Sequence, residues 1–501
     1  SKAWNTEVRI GHIDVQFFDQ LLLENVLVRD QAGDTLMACD RLKAGLRRNI
    51  FSLWRNCLEF DELEIQRARF YIRQPEGAKH NNIQFILDYF TPSSPAPPSE
   101  PAPFLLAIRQ LRLHDVVFSS DDRVRGERMD FRLRDAVVRL DAFDAQKGFF
   151  NIRTVNISGF HFGLGESPAR PLPARAPTPA PRVPTAPPDT LRFFVGSFRL
   201  ERGSFRLDQY DIPPDDMDDA IDYEHMSVGE ISVHADSIFF DDQLRFEGIL
   251  RKLSAHEKSG FELNSCTANR VVVNDTITAL YGVRLVTPQS ELGDTIALRY
   301  RTYRDYRRFT ERVKFDIRLK EGSHVWVQDI ARFSPDLPQN SIFKRNLQRT
   351  LDISGHITGP VDRLKGRNMT IRSGQDLFFK GMFEGDDLSK GEGALRMRFV
   401  FDPLRSNIGS LRQILPDFNP PEAFDRLGDV EFRGEYLILF GYDHVLIGEL
   451  NSALGQARTS IKLDLAEGKT KARYSGYLNL SGFDIGTFSD NTDLGKTTLR
   501  V

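Results

Sequence analysis

The sequence is poor in cysteine and tryptophan and has no excess of either charge. Its 501 residues include three cysteines, Cys39, Cys57 and Cys266, too few for a disulfide framework and with no CxxC pair that would mark a zinc or redox site. Basic and acidic residues nearly cancel, 67 against 70, for a net charge of −3, which removes any whole-chain electrostatic case for nucleic acid. No apolar run approaches the ~20 residues that span a bilayer, and no signal peptide opens the chain. Ser1 leads almost directly into strand-like sequence, and Lys496 to Val501 is an apparent strand with no turn after it. We therefore read the chain as a segment of a longer protein, with any membrane anchor outside it.

Catalytic and metal chemistry are also missing from the pattern. The ten histidines are scattered, with no pair at the i, i+4 spacing of a zincin and no cysteine beside them. Neither a G-x-S-x-G elbow nor a G-x-G-x-x-G fingerprint occurs. Gly495-Lys-Thr497 imitates the tail of a phosphate-binding loop, but Asp490 stands where the leading glycine belongs. The acidic stretch Asp211 to Asp219 could attract Ca²⁺, yet it lacks the EF-hand spacing and closing Glu, and reads as a solvated loop. The expectation is a non-enzyme with no cofactor and no metal.

Phenylalanine is abundant: 38 residues against 12 Tyr and three Trp, so much of the chain calls for a dry surface. Fifteen of the 26 prolines fall in residues 91–103 and 168–188, which read as extended loop insertions without an apolar period. Elsewhere the dominant signal is alternation of period two. Val313, Phe315, Ile317 and Leu319 alternate with Lys314, Asp316, Arg318 and Lys320. Leu395, Met397, Phe399 and Phe401 alternate with Arg396, Arg398, Val400 and Asp402; Ile461, Leu463 and Leu465 do so with Lys462, Asp464 and Ala466. Strand side chains point alternately to opposite faces, so each segment has one apolar and one wet face. Fully buried parallel strands would read as unbroken apolar runs.

An internal repeat sharpens this pattern. Phe60, Leu63, Ile65, Phe70 and Ile72 share their spacing with Ile108, Leu111, Leu113 and Phe118, and with Ile152, Val155, Ile157, Phe162 and Leu164. Two more copies are Val195, Phe198, Leu200, Phe205, Leu207 and Val228, Ile231, Val233, Ile238, Phe240; Phe131, Leu133, Val138 and Leu140 form a degenerate one. The four-residue gap in each copy suits a turn or bulge between short strands. Helices are expected over 82–90, 410–415 and 421–427, as packing elements over a sheet edge or end.

These readings give a mainly β, elongated and repetitive sheet curled into a groove, with few helices and two Pro-rich insertions. The expected organisation is a β segment over 1–90 ending in a helix, a loop over 91–103, repeats over 104–167, a loop over 168–188, and continuing repeats over 189–501. Roughly 25 strands at ~4.8 Å would extend on the order of 120 Å. A Phe-rich face of that size is an aggregation hazard unless it curls around something apolar. The apolar members of the three alternating segments are the candidate groove lining. Two rivals stand beside this reading: a structural solenoid filled by its own side chains, and an enzyme on a solenoid with carboxylates on one outer face.

Several blocks, in order along the chain, resemble the TamB branch of the AsmA-like superfamily in its Bacteroidota form. They are Glu7 to Val15 with Leu22 to Leu36, Ile221 to Val228, Val286 to Leu292, Ile353 to Asp362, and Tyr474 to Gly486 followed by Asp493 to Gly495. The resemblance implies a periplasmic β groove, folded like a taco, that conducts phospholipid between inner and outer membranes. It also implies an inner-membrane anchor helix, an Omp85-type outer-membrane partner and a role in outer-membrane protein assembly. This segment lacks both the anchor and the C-terminal region that would meet the partner.

Overall fold

A computed structural model of the chain describes residues 6–16, 19–47, 57–86, 105–144, 149–166, 191–214, 220–333, 341–387, 394–416, 418–468 and 471–501. The fold is mainly β, with 24 strands and a few short helices among the described residues. It divides into two compact units, Ser1–Asn264 and Ser265–Val501. Both Pro-rich stretches lie outside the described residues, as do 215–219 of the acidic loop and 87–90 of the first expected helix, of which one turn over 84–86 is described.

The first unit holds β1 (Val8–Gln16), β2 (Gln20–Arg29), β3 (Thr35–Leu46), β4 (Cys57–Gln74), β5 (Leu105–Asp122), β6 (Glu127–Asp144), β7 (Phe149–Glu166), β8 (Arg192–Gln209), β9 (Ser227–Asp241) and β10 (Phe246–Glu257). Each pairs with the next in chain order. Most pairs are antiparallel, but β4 with β5 and β7 with β8 are parallel. A parallel pair needs a connection that returns along the length of the strand. Residues 75–104 and 167–191 make those two returns, and they contain the two Pro-rich stretches. The insertions therefore have a topological reason that alternation alone did not reveal.

The repeat copies are not pairs of short strands. Five of the strands that carry a copy, β4 to β8, are each a single strand of 18 residues, and the sixth, β9, has 15. The gap holds a bulge instead of a turn: Arg67, Asp115, Gly159 and Arg202 have φ of +51°, +51°, +70° and +56°. A bulge inserts one residue and shifts the in–out parity beyond it. Ile65 and Phe70, five apart, thereby pack on the same cluster as Ala68 between them. The parallel pairs align copy on copy, with Ile65 opposite Leu113, Phe70 opposite Phe118, Ile157 opposite Leu200 and Phe162 opposite Phe205.

The second unit runs from β11 (Glu262–Val273, paired from Ser265 onward) through β12 (Ile277–Val286), β13 (Glu291–Arg299), β14 (Lys314–Leu319) and β15 (His324–Trp326) to β16 (Thr350–Gly359). It continues with β17 (Arg363–Ser373), β18 (Leu377–Asp386), β19 (Arg396–Asn407), β20 (Asp429–Leu439), β21 (Asp443–Ser452), β22 (Gly455–Asp464), β23 (Arg473–Asp484) and β24 (Lys496–Arg500). Its ladders among the described residues are antiparallel, and β14 and β15 share one strand position against β16. The expected helices near 410–427 are an α-helix Ile408–Ile414, capped where Asn407 Oδ1 accepts from Ser410 N–H at 2.8 Å, and a 3-10 helix Glu422–Leu427. With Ile485–Ser489 they flank a core of Ile408, Leu427, Val430, Leu480 and Phe483. Helical turns over Tyr303–Arg312, Val327–Arg332 and Ser341–Asn346 were not anticipated.

Candidate functional site

Directly paired residues in a sheet point to the same face, so register turns a list of strands into rows of side chains. In the second unit one row crosses eleven strands: Leu280, Ile296, Ile317, Ile357, Gly366, Phe383, Phe399, Tyr436, Leu446, Ile461 and Gly476. Ile317, Phe399 and Ile461, taken from three separate alternating segments, are brought into one line. Phe383 lies over Gly366, where an added Cβ would run into its ring. All nine larger side chains of the row are half-buried; none is enclosed and none is fully free.

Neighbouring rows place the other expected residues. Met397 and Leu463 share a row with Ile438, His444 and Tyr474. Phe401 lies between Gly381 and Gly434, within reach of Phe379, Phe399 and Phe432 at ring distances of 5.7, 6.1 and 5.7 Å. Phe315 and Leu319 flank Ile317 on β14. Leu395 and Leu465 fall just outside β19 and β22. Val313 immediately precedes β14 and is wholly buried, and Leu319 is buried too. Phe309, from the helical turns before β14, packs its ring 5.8 Å from Phe315. The protein's own side chains thus cover this end of the face. Beside them, burial pushes the Tyr300 hydroxyl up to about 12.

The adjacent row on the opposite face carries Asp316, Thr358, Lys365, Glu384 and Arg398. Lys365 Nζ meets Glu384 Oε1 at 3.0 Å, and Arg398 makes a two-pronged pair with Glu435. Asp316 is partly desolvated, which opposes its charge. Hydrogen bonds from His356, at 2.8 Å, and Arg299, at 3.0 Å, outweigh that and hold its carboxyl below the usual carboxylate range.

The first unit repeats the arrangement. One row runs through all ten strands: Ile13, Leu23, Leu42, Ile65, Leu113, Ala136, Ile157, Leu200, Val233 and Leu253. A parallel row is made of phenylalanine, with Phe70, Phe118, Phe131, Phe162 and Phe205 on five successive strands, all half-buried. Between these rows, Val26, Cys39, Ala68, Val116 and Leu133 form a buried cluster. Burial pushes the Cys39 and Cys266 thiols up, which keeps both in the unreactive thiol form. On the polar face, hydrogen bonds from His114, at 2.9 Å, and Arg134, at 3.0 Å, lower the Asp135 carboxyl.

The sequence reading missed Leu280, Ile296, Ile357, Phe383, Tyr436 and Leu446. Tyr436-Leu-Ile-Leu439 is an unbroken apolar run with no alternation to read, and the others acquire meaning only through pairing. Among the described residues no group of three or more His, Cys, Asp or Glu side chains is arranged to hold a metal, and no helix is long and apolar enough to cross a membrane. No protein-family model, curated protein or solved structure matches the chain.

Proposed function

We propose that each unit's apolar face lines a groove that carries phospholipid acyl chains, in a periplasmic segment of a bridge between inner and outer membranes. The observation that supports this reading is the row from Leu280 to Ile461, nine larger side chains left half-buried over ten strands. A face of that length left half-wet is unfavourable by roughly 25 cal/mol for each Å² of apolar surface, and acyl chains supply the missing cover. The blocks similar to the TamB branch supply the setting: an inner-membrane anchor helix, an Omp85-type outer-membrane partner and support of outer-membrane protein assembly, with no catalysis. The rival is a scaffolding solenoid filled by its own side chains and acting with such a partner. Val313 and Met369, both fully enclosed, favour it locally.

The test is photocrosslinking at Ile317 and Met397 in the full-length protein, with lipid transfer measured alongside and bound lipid analysed after detergent-free extraction. Phospholipid is expected at both positions. Phe315→Arg and Phe399→Asp are expected to block transfer in folded protein, because a charge there must be dehydrated against hydrocarbon at a cost of about 2–3 kcal/mol or more. Phe399→Leu is expected to transfer normally. Failure to capture lipid, with normal transfer by a folded charged variant, leaves the self-filled scaffold.

A further inference from the structure

One residue on the open face of the second unit is out of character with its row. His444 stands among Met397, Ile438, Leu463 and Tyr474, directly paired with Ile438 on one side and Leu463 on the other. Its Nδ1 lies 2.8 Å from the Tyr436 hydroxyl, and the two rings stack at 6.0 Å. Burial lowers the basicity of the imidazole and pushes up the tyrosine hydroxyl, so both groups are neutral near pH 7. A neutral ring that accepts the Tyr436 proton at Nδ1 carries its own hydrogen on Nε2. That N–H has no hydrogen-bond partner among the described residues.

Its position along the strand is equally specific. One pair deeper are Tyr436 and Leu446, in the apolar row. One pair outward, the chain turns through Phe440 and Tyr442, about 40% exposed, and on β23 Tyr474 is 83% exposed. Arg396 lies over the Phe440 ring at 5.1 Å. A single unpaired donor is therefore held at the border between an apolar surface and an aromatic, cationic rim. That is the order in which a phospholipid presents its chain, its ester and phosphoryl oxygens, and its head.

We propose that His444 Nε2–H donates to an ester or phosphoryl oxygen of a phospholipid whose acyl chain lies against Leu446 and Phe399, and that Tyr436 positions it by fixing the tautomer. The proposal rests on the acyl-chain reading above and adds a polar contact that sets which amphiphiles are held.

The test uses the full chain with imidazole-¹⁵N-labelled histidine and three probes: a lysophosphatidylcholine below its micelle concentration, dodecane and inorganic phosphate. The His444 signal, identified by its loss in His444→Leu, is expected to report a hydrogen on Nε2 and to shift with the lysolipid. His444→Leu is expected to bind the lysolipid about fivefold to tenfold more weakly, the loss of one hydrogen bond, with dodecane binding unchanged. Tyr436→Phe is expected to mix the tautomers, visible in the same spectrum, with a smaller loss. If His444→Leu does not fold, His444→Phe takes its place, with no donor and the same loss expected, while His444→Gln, which keeps a donor, is the control expected to hold affinity within about twofold. Equal weakening for lysolipid and dodecane, or no weakening at all, overturns the contact while the acyl-chain reading stands. A shift as large with phosphate alone makes this an anion site and overturns it too. Binding of neither lysolipid nor dodecane by the unaltered chain overturns the acyl-chain reading and the contact together.

Discussion

In the first unit the irregular line across the strands passes through Asn25, Arg67, Asp115, Gly159 and Arg202, each with positive φ and, apart from Gly159, each with a side chain. In the second it passes through Gly381 and Gly434, on strands whose pairings shift register nearby. The first line is made of inserted residues. Each leaves an odd spacing in the apolar pattern, three or five where two or four would stand. The second is made by close approach of backbones: a Cβ on Gly381 would strike the Val400 carbonyl oxygen, and one on Gly434 that of Ile447. Glycine there leaves a hole in the pattern rather than a shift. The second unit mixes the two, since Gly282 and Asn368, with φ of +58° and +50°, also stand at register shifts, so no single spacing recurs there as it does between residues 60 and 240.

The comparison can be broken most easily at Gly434. Gly434→Ala is expected to destabilise the protein by about 3 kcal/mol, because backbone stands where the methyl must go. Urea unfolding of the full chain measures it; a change below about 0.5 kcal/mol would mean the strands can separate without penalty. A mid-sized effect is expected on the polar faces, where both units use a histidine against an aspartate. The Asp316 carboxylate is 20% exposed and that of Asp135 45%, so Asp316→Asn should cost more stability than Asp135→Asn. Both carboxyls are held low in the folded protein. The stability they add is therefore full above the unfolded carboxylate value, near 4, and is lost as pH falls through the lower folded one. Thermal melts of each Asn variant from pH 7 to pH 2 should show the deficit closing at the acid end; a deficit that widens on acidification contradicts the assignment. The smallest effect is expected at Asp115. Asp115→Gly removes a left-handed strain and should gain about 0.5–1 kcal/mol, where Gly434→Ala loses. A loss at Asp115 would show that its side chain, not its backbone, holds the bulge.

Much of the candidate face was legible because alternation is local. Lys314, Arg318 and Lys320 are exposed, while Phe315, Ile317 and Leu319 are covered to differing degrees, as the pattern required. Register was not legible. Nothing in the sequence near Ile317 says that Ile296 and Ile357 flank it, because pairing is decided by the whole ladder. The helical turns over Tyr303–Arg312 were missed because ten residues, four of them arginine, offer no apolar period, and no side chain caps either helical turn. The two parallel pairs were missed because their strands are wet on one face, so the unbroken apolar run that marks buried parallel strands never forms.

Those two parallel pairs also partition how the first unit can assemble. Hairpins zip from their turns, and consecutive hairpins join β1 to β4, β5 to β7 and β8 to β10. At β4 with β5 and at β7 with β8 zipping stops, because the 30 residues 75–104 and the 25 residues 167–191 must first be carried back along a strand. Closing a connection of that length costs about 2 kcal/mol more than a four-residue turn, charged before any contact between the blocks repays it. A chain emerging from its N-terminus therefore completes three small meanders that order themselves quickly. They then join slowly at two seams, each held open until the repeat copy on one side finds its match on the other.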